Sequence, residues 1–150
     1  MAFIFPAITV CCQDAALVTD KENLFTGLEI THIDSLLQAY HKKSGNLVAV
    51  YTDSADISAN DFGSKVYALF KKTSSDEAYS FILMMSRTHS HIFSTINNKT
   101  VPYANQQQLI GILETGFVSL KEKRREEAVI KICTKAMEFL DSLPGRKTGQ

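Results

Sequence analysis

The sequence predicts an α/β fold: a three-layer α/β/α sandwich with a small mixed, mostly parallel sheet of three to four strands and about four helices. Three observations point there. Two short continuous apolar runs, 46–51 (NLVAVY) and 80–85 (SFILMM), have the pattern of strands buried on both faces. Amphipathic stretches with apolar residues three and four apart precede, separate and follow them. The chain has 150 residues, 45% hydrophobic and 21% charged, which suits one domain with a single core and is not the composition of a disordered chain.

The chain divides into an apolar N-terminal segment (1–13), a single domain (14–145) and a loose tail (146–150). Met1–Cys12 reads MAFIFPAITVCC, with Thr9 its one polar side chain. That run is shorter than the ~20 residues that span a bilayer. It resembles the apolar region of a secretory signal, although no Lys or Arg precedes it. An apolar arm packed on the core and a lipid anchor on Cys11 or Cys12 are the other readings. The signal reading favours an exported or cell-envelope setting; the missing basic residues keep a cytoplasmic one open.

Residues 13–25 read as an irregular lead-in. Thr26 with Glu29 three residues on is a capping box. The helix it starts carries Ile30, Ile33, Leu36, Leu37 and Tyr40 on one stripe, and Lys42, Lys43 and Gly45 end it. After the first strand, Thr52-Asp53-Ser54 breaks the run. Ser58 caps a second helix with Asp61 at its N3 position, a stripe of Phe62, Val66, Leu69 and Phe70, and Lys71-Lys72 at its end. With the strand at 80–85 this makes a β-α-β unit, which implies a parallel, right-handed crossover. A turn at 87–90 leads into a third strand, 91–96 (HIFSTI), antiparallel to the second. A third helix begins near Asn105 and shows Leu109, Ile112, Leu113 and Phe117. A last helix runs from about Glu122 to Leu143, with Val129, Ile132, Cys133, Ala136 and Leu140 inward, and Pro144-Gly145 stops it.

Composition and motifs exclude several chemistries. Sixteen basic and sixteen acidic residues give no net charge, which argues against a dedicated nucleic-acid binder. There is no G-x-S-x-G, no cysteine with a histidine in register, no P-loop and no G-x-G-x-x-G, so neither a covalent hydrolase nor a nucleotide cofactor is expected. The three cysteines follow no zinc or disulfide spacing, and Cys133 reads as a small buried hydrophobe. His89 and His91 read as exposed turn histidines or as two imidazoles on one strand face. The run from Lys121 to Glu127 is mixed in sign and reads as a solvated face or a docking patch. Met84-Met85 reads as core.

One set of ordered matches goes further. Val18-Thr19-Asp20, then Leu24-Phe25-Thr26, then an amphipathic helix ending in Lys43-Ser44-Gly45-Asn46, then 47–52 (LVAVYT), resembles the opening of the TPM domain. That family includes a plant thylakoid-lumen protein, a photosystem II repair protein and a nematode receptor modulator. Asp20 matches the aspartate of the family's V-N-D opening; Ser44-Gly45-Asn46 and Thr52 match its helix-to-strand passage. The order of elements matches over about residues 15–143. In the second half the family carries D-x-N-G before the second strand and G-x-G after the third. Here 76–79 (DEAY) keeps the aspartate without Asn-Gly, and 96–99 (INNK) stands in for the glycine loop, with Asn97 and Asn98 as partial conformational substitutes.

The resemblance implies divalent-metal binding, calcium or magnesium, and a weak acid phosphatase activity attributed to one branch. Such ions need several oxygen ligands, typically carboxylates on loops. Topology sorts the candidates into two sets. Asp20, Asp53 and Asp56 lie at the carboxyl end of the parallel strands, where open α/β sheets bind ligands. Asp76 and Glu77, with Asn97 and Asn98, lie at the opposite end. The leading functional expectation is a TPM-like binding or accessory module of the cell envelope with weak calcium or magnesium affinity, acting through a protein partner. It would meet a membrane only through its N-terminal segment. The alternatives are a metal-assisted, phosphatase-like hydrolase and a degenerate structural interaction domain.

Overall fold

In the computed structural model the described residues are 15–55, 58–70 and 77–145. The N-terminal segment 1–13 and the tail 146–150 lie outside them, as do Lys71-Lys72. The elements run β1 (Val18–Asp20), α1 (Gly27–Ser44), β2 (Leu47–Thr52), α2 (Ala59–Phe70), β3 (Ser80–Ser86), β4 (His91–Ile96), a short 3-10 helix (Val101–Tyr103), α3 (Gln106–Glu114), α4 (Phe117–Lys121) and α5 (Arg125–Asp141). The four strands form one open sheet in the order β1-β2-β3-β4, parallel except for the β3–β4 hairpin. The α/β sandwich read from the sequence is the fold observed.

Local signals explain most boundaries. The Thr26/Glu29 capping box is formed, and Gly45 ends α1 in the left-handed region at φ 80°. Asp61 N–H donates to the Ser58 hydroxyl at the start of α2. Asn105 and Gln108 make a second capping box at α3. Strands β2 and β3 are buried along their whole length, as continuous apolar runs require. Ile33 and Leu37 of α1, Phe62 and Val66 of α2, and Ile132, Cys133 and Leu140 of α5 complete the core. Each fully buried large aliphatic side chain contributes roughly 1.5–3 kcal/mol.

Four expectations need correction. The lead-in contains a strand: Val18–Asp20 pairs with Val50–Thr52 at the sheet edge. The third helix stops at Glu114, and Phe117 opens a separate short helix with its ring exposed. The break falls at Gly116, a position that needs glycine because a β-carbon would stand 2.7 Å from Ile132 Cδ1 and 2.8 Å from the Ala128 carbonyl. The last helix spans Arg125–Asp141 and not 122–143. Leu69 of α2 is likewise exposed.

Strand alternation sorts the two faces. The Phe62 ring of α2 meets Tyr51 of β2 and Phe93 of β4, with centroids 5.6 and 5.1 Å apart, and Met84 stands between those two residues in register. The other face, carrying Thr52, Met85 and Ile92, lies under α1, α4 and α5. There the Tyr40 hydroxyl of α1 donates to Asp141 of α5. The parallel strands β1, β2 and β3 succeed one another in the same direction while α1 and α2 cross on opposite faces. The two crossovers are therefore of opposite hand, and the right-handed rule holds for one of them only.

Candidate functional site

The carboxyl end of the parallel strands gathers Asp20, Glu22 and Asp53. Asp20 ends β1 opposite Thr52, whose hydroxyl donates to its Oδ1 at 2.6 Å. The Leu24 and Phe25 N–H groups donate to the same carboxylate at 3.0 Å each. Asp20 thus holds the turn that launches α1. Asp53 turns the other way, toward α2: it accepts from the Tyr51 hydroxyl at 2.8 Å, the Ala55 N–H at 3.0 Å and Lys65 Nζ at 3.4 Å. Burial by itself pushes the Asp53 carboxyl up; the Ala55 N–H, the Tyr51 hydroxyl and Lys65 outweigh it and hold it below its usual value. Asp56 lies outside the described residues.

Glu22 is a site residue that sequence reasoning missed. Its carboxylate reaches across to the β3–β4 turn, accepting from Arg87 N–H at 2.8 Å, Thr88 N–H at 2.9 Å and the Thr88 hydroxyl. Burial again opposes ionisation, and the Thr88 hydroxyl, the two N–H groups and the Arg87 charge together hold the carboxyl low. No local pattern marks a residue whose partners lie 65 and 66 positions away.

The amino end of the strands brings Glu77, Asn97 and Asn98 together, as topology predicted. Asn97 Oδ1 accepts from the Thr100 hydroxyl at 2.6 Å and its N–H at 3.1 Å, while Nδ2 donates to the Ala78 carbonyl at 2.7 Å. Lys99 Nζ donates to the Glu77 carbonyl. Neither Asn97 nor Asn98 adopts a positive φ, so the loop does not replace glycines conformationally. Beside it, buried Asn46 accepts the Tyr79 N–H at 3.1 Å and donates to the Tyr40 hydroxyl at 3.2 Å. Burial and the Asp141 carboxylate push the Tyr40 phenol up to about 12. Asp76 lies outside the described residues.

A hard cation needs converging oxygen ligands. Asp20 and Asp53 face opposite sides of the sheet, each already engaged by N–H, O–H or ammonium donors. Among the described residues no three His, Cys, Asp or Glu side chains form a group that could hold a metal. The described members of the two predicted sets therefore do not make a cation cage by themselves. The rings of His89 and His91 lie 5.8 Å apart and tilted by 35°, and His89 Nε2 meets the Ser54 carbonyl at 2.8 Å; His89 lies in the turn, and His91 opens β4.

The same carboxyl end carries a cavity of about 310 Å³ on the α5 face of the sheet. Its floor is apolar: Leu24 from the β1–α1 loop, Met85, Ile92 and Leu120. Met85, read from the sequence as core, is buried and still lines this floor. Two arginines, Arg87 and Arg125, stand in its wall with His91, Ser86 and Ser90. Among the described residues no acidic side chain lines it.

Comparison with solved structures gives a likeness in fold. The NMR structure of the BA42 protein from the psychrophilic bacterium Bizionia argentinensis has a TM-score of 0.69 at 12% identity, over 84% of this chain and 88% of that one. The N-terminal domain of the cg2496 protein from Corynebacterium glutamicum has a TM-score of 0.62 at 11% identity, over 97% and 93%. The N-terminal domain of a P. gingivalis protein has a TM-score of 0.64 at 15% identity, over 87% and 88%. No family model matches the sequence, and no match was found among curated proteins. The chain is thus similar to small bacterial α/β domains in its fold.

Proposed function

We propose that the chain is a non-enzymatic binding or accessory module of the TPM type, with its ligand-binding face at the carboxyl end of the strands. The observation that carries this reading is the arginine-walled cavity there, set beside carboxylates engaged as structural acceptors. The histidine chemistry supports it. The described hydrogen bonds of histidine side chains go to a carboxylate or a backbone carbonyl, and none to a Ser, Thr or Cys hydroxyl or thiol. A nucleophile needs a base within reach. Cys133 is buried, and burial alone pushes its thiol up to about 12, so it stays protonated. An envelope setting and weak calcium or magnesium affinity are the finer parts of the proposal, carried by the sequence resemblance.

One titration tests both levels. Amide NMR shifts are followed as calcium or magnesium is added to millimolar concentration, and phosphate release from an aryl phosphate is measured in parallel. Shifts around Asp20 and Asp53, or around Glu77 and Asn97, with no phosphate release support the metal-binding module. Unmoved amides overturn the metal part. Metal-dependent phosphate release that is lost in Asp20→Asn or Asp53→Asn overturns the non-enzymatic reading.

A further inference from the structure

The cavity at the carboxyl end carries one arginine, Arg125, that no acidic side chain among the described residues pairs with. In the run from Glu122 to Glu127 the acids are already engaged. Arg124 pairs with Glu122 and Glu127, Lys131 reaches Glu127 at 3.2 Å, and Glu126 meets His32 at 3.1 Å. Arg125, next in the same run, makes no ion pair among the described residues and lines the cavity. Arg87, from the β3–β4 turn, lines it as well. The carboxylate nearest to it in the fold, Glu22, uses its oxygens on the Arg87 and Thr88 N–H groups and the Thr88 hydroxyl. The turn N–H groups that a phosphate would seek are thereby occupied; the Arg87 charge is shared with Glu22, and the Arg125 guanidinium remains for a ligand. A guanidinium fork matches a planar carboxylate with two parallel hydrogen bonds.

The backbone around the cavity is held in costly conformations. The described non-glycine residues with positive φ are Asn23 (56°), Ser90 (52°) and Lys123 (63°). Asn23 precedes Leu24, Ser90 itself lines the cavity, and Lys123 lies between Leu120 and Arg125. Left-handed backbone at a non-glycine residue costs roughly 1–2 kcal/mol and gathers at binding sites. The three cavity-forming segments from outside β3 each contain one. The volume of about 310 Å³ is that of a small-molecule site with an apolar body and a few polar groups.

We propose that this cavity binds a carboxylate carried on a short apolar body, the carboxylate between Arg87 and Arg125 and the body on Leu24, Met85, Ile92 and Leu120. This rests on the reading of the carboxyl end as the ligand face. Two sources share that chemistry: the last residue of a protein chain and a free organic acid.

The test is amide NMR titration of the full chain with N-acetyl-leucine, hexanoate, N-acetyl-leucinamide and inorganic phosphate. Both carboxylates are expected to shift amides of Leu24, Ser86, Ile92, Leu120 and Arg125, and the uncharged amide is expected to leave them in place. N-acetyl-leucine binding more tightly than hexanoate assigns the site to a chain terminus; the reverse order assigns it to a free acid. Arg125→Gln is expected to weaken binding about tenfold with an otherwise unchanged spectrum, while Lys121→Gln leaves it unchanged. The proposal is overturned if no carboxylate moves these amides at 10 mM, roughly the weak limit of useful affinity. It is overturned equally if the amide or phosphate binds as well as the carboxylates. Failure here without phosphatase activity leaves the module reading standing; phosphatase activity with intact carboxylate binding does the opposite.

Discussion

The two ends of the sheet use polar residues in opposite ways. At the amino end Asn46, Asn97, Ser80 and Thr100 close on one another and on the backbone: Asn97 N–H donates to Ser80, and Ser80 N–H donates to Thr100. That end is a lock of neutral groups, tied to the end of α5 through Tyr40 and to the segment beyond it through the Tyr79 hydroxyl, which donates to the Pro144 carbonyl. At the carboxyl end the polar groups are charged. Asp20, Glu22 and Asp53 hold turns, and two arginines are left facing a cavity. The difference teaches that burial alone does not make a site. Both ends bury polar atoms, and only the end with surplus charge offers a ligand something the protein does not already supply.

Removing the amino-end lock gives the largest expected effect. Asn46→Ala leaves the buried Tyr79 N–H without its partner and is expected to cost about 2–3 kcal/mol, read from urea unfolding. At the carboxyl end Glu22→Gln is expected to cost less, about 1 kcal/mol, because its clasp on the turn is more exposed. It should speed hydrogen exchange at Arg87 and Thr88 without affecting Asn46.

The two ends should also fail at opposite extremes of pH. Asp53 and Glu22 titrate low in the folded chain, so their stabilisation is present above the ordinary carboxylate values of 3.8 and 4.5. It is lost as pH falls below them. Tyr40 titrates high, so its contribution is full below 10.0 and is lost as pH rises toward about 12. Urea midpoints across pH should show Asp53→Asn flattening the acid limb alone and Tyr40→Phe flattening the alkaline limb alone. The smallest effect is expected at the cavity wall. Arg125→Gln should stay within about 0.5 kcal/mol of the parent in the same unfolding assay, since Arg125 faces a cavity and pairs with no acid among the described residues.

What could be read from the sequence follows the range of the interaction. The Thr26/Glu29 box, Gly45, and the apolar runs of β2 and β3 are local signals and place three layers correctly. The strand β1 escapes notice because three residues, VTD, show no periodicity and are defined only by pairing 32 positions away. The α3–α4 break escapes because Leu113 and Phe117 keep helical spacing across it, and the close approach of Ile132 that requires Gly116 there is a long-range contact. Asp20, Asp53 and Glu77 stand at the ends of the sheet that topology assigns them, while Asp56 and Asp76 lie outside the described residues. Their partners were not legible, and neither was the cavity: Arg87 read as a turn residue and Arg125 as part of a solvated run. Only the approach of α5 to the β3–β4 hairpin puts them in one wall.

The strand order has a consequence for how the chain assembles. Strands adjacent in the sheet are adjacent in the chain, so each ladder closes a short or moderate loop. The hairpin begins with Ser86 against His91, and the parallel pairs join residues some thirty apart, such as Leu47 and Ser80. Loop closure of that size is entropically cheap and favours rapid sheet formation. The long-range contacts belong to α5, where His32 meets Glu126 at a separation of 94 and Tyr40 meets Asp141 at 101. The sheet with α1 and α2 is therefore expected to condense first and α5 to dock last. Arg125, and with it the cavity wall, would be completed only in the final step of folding.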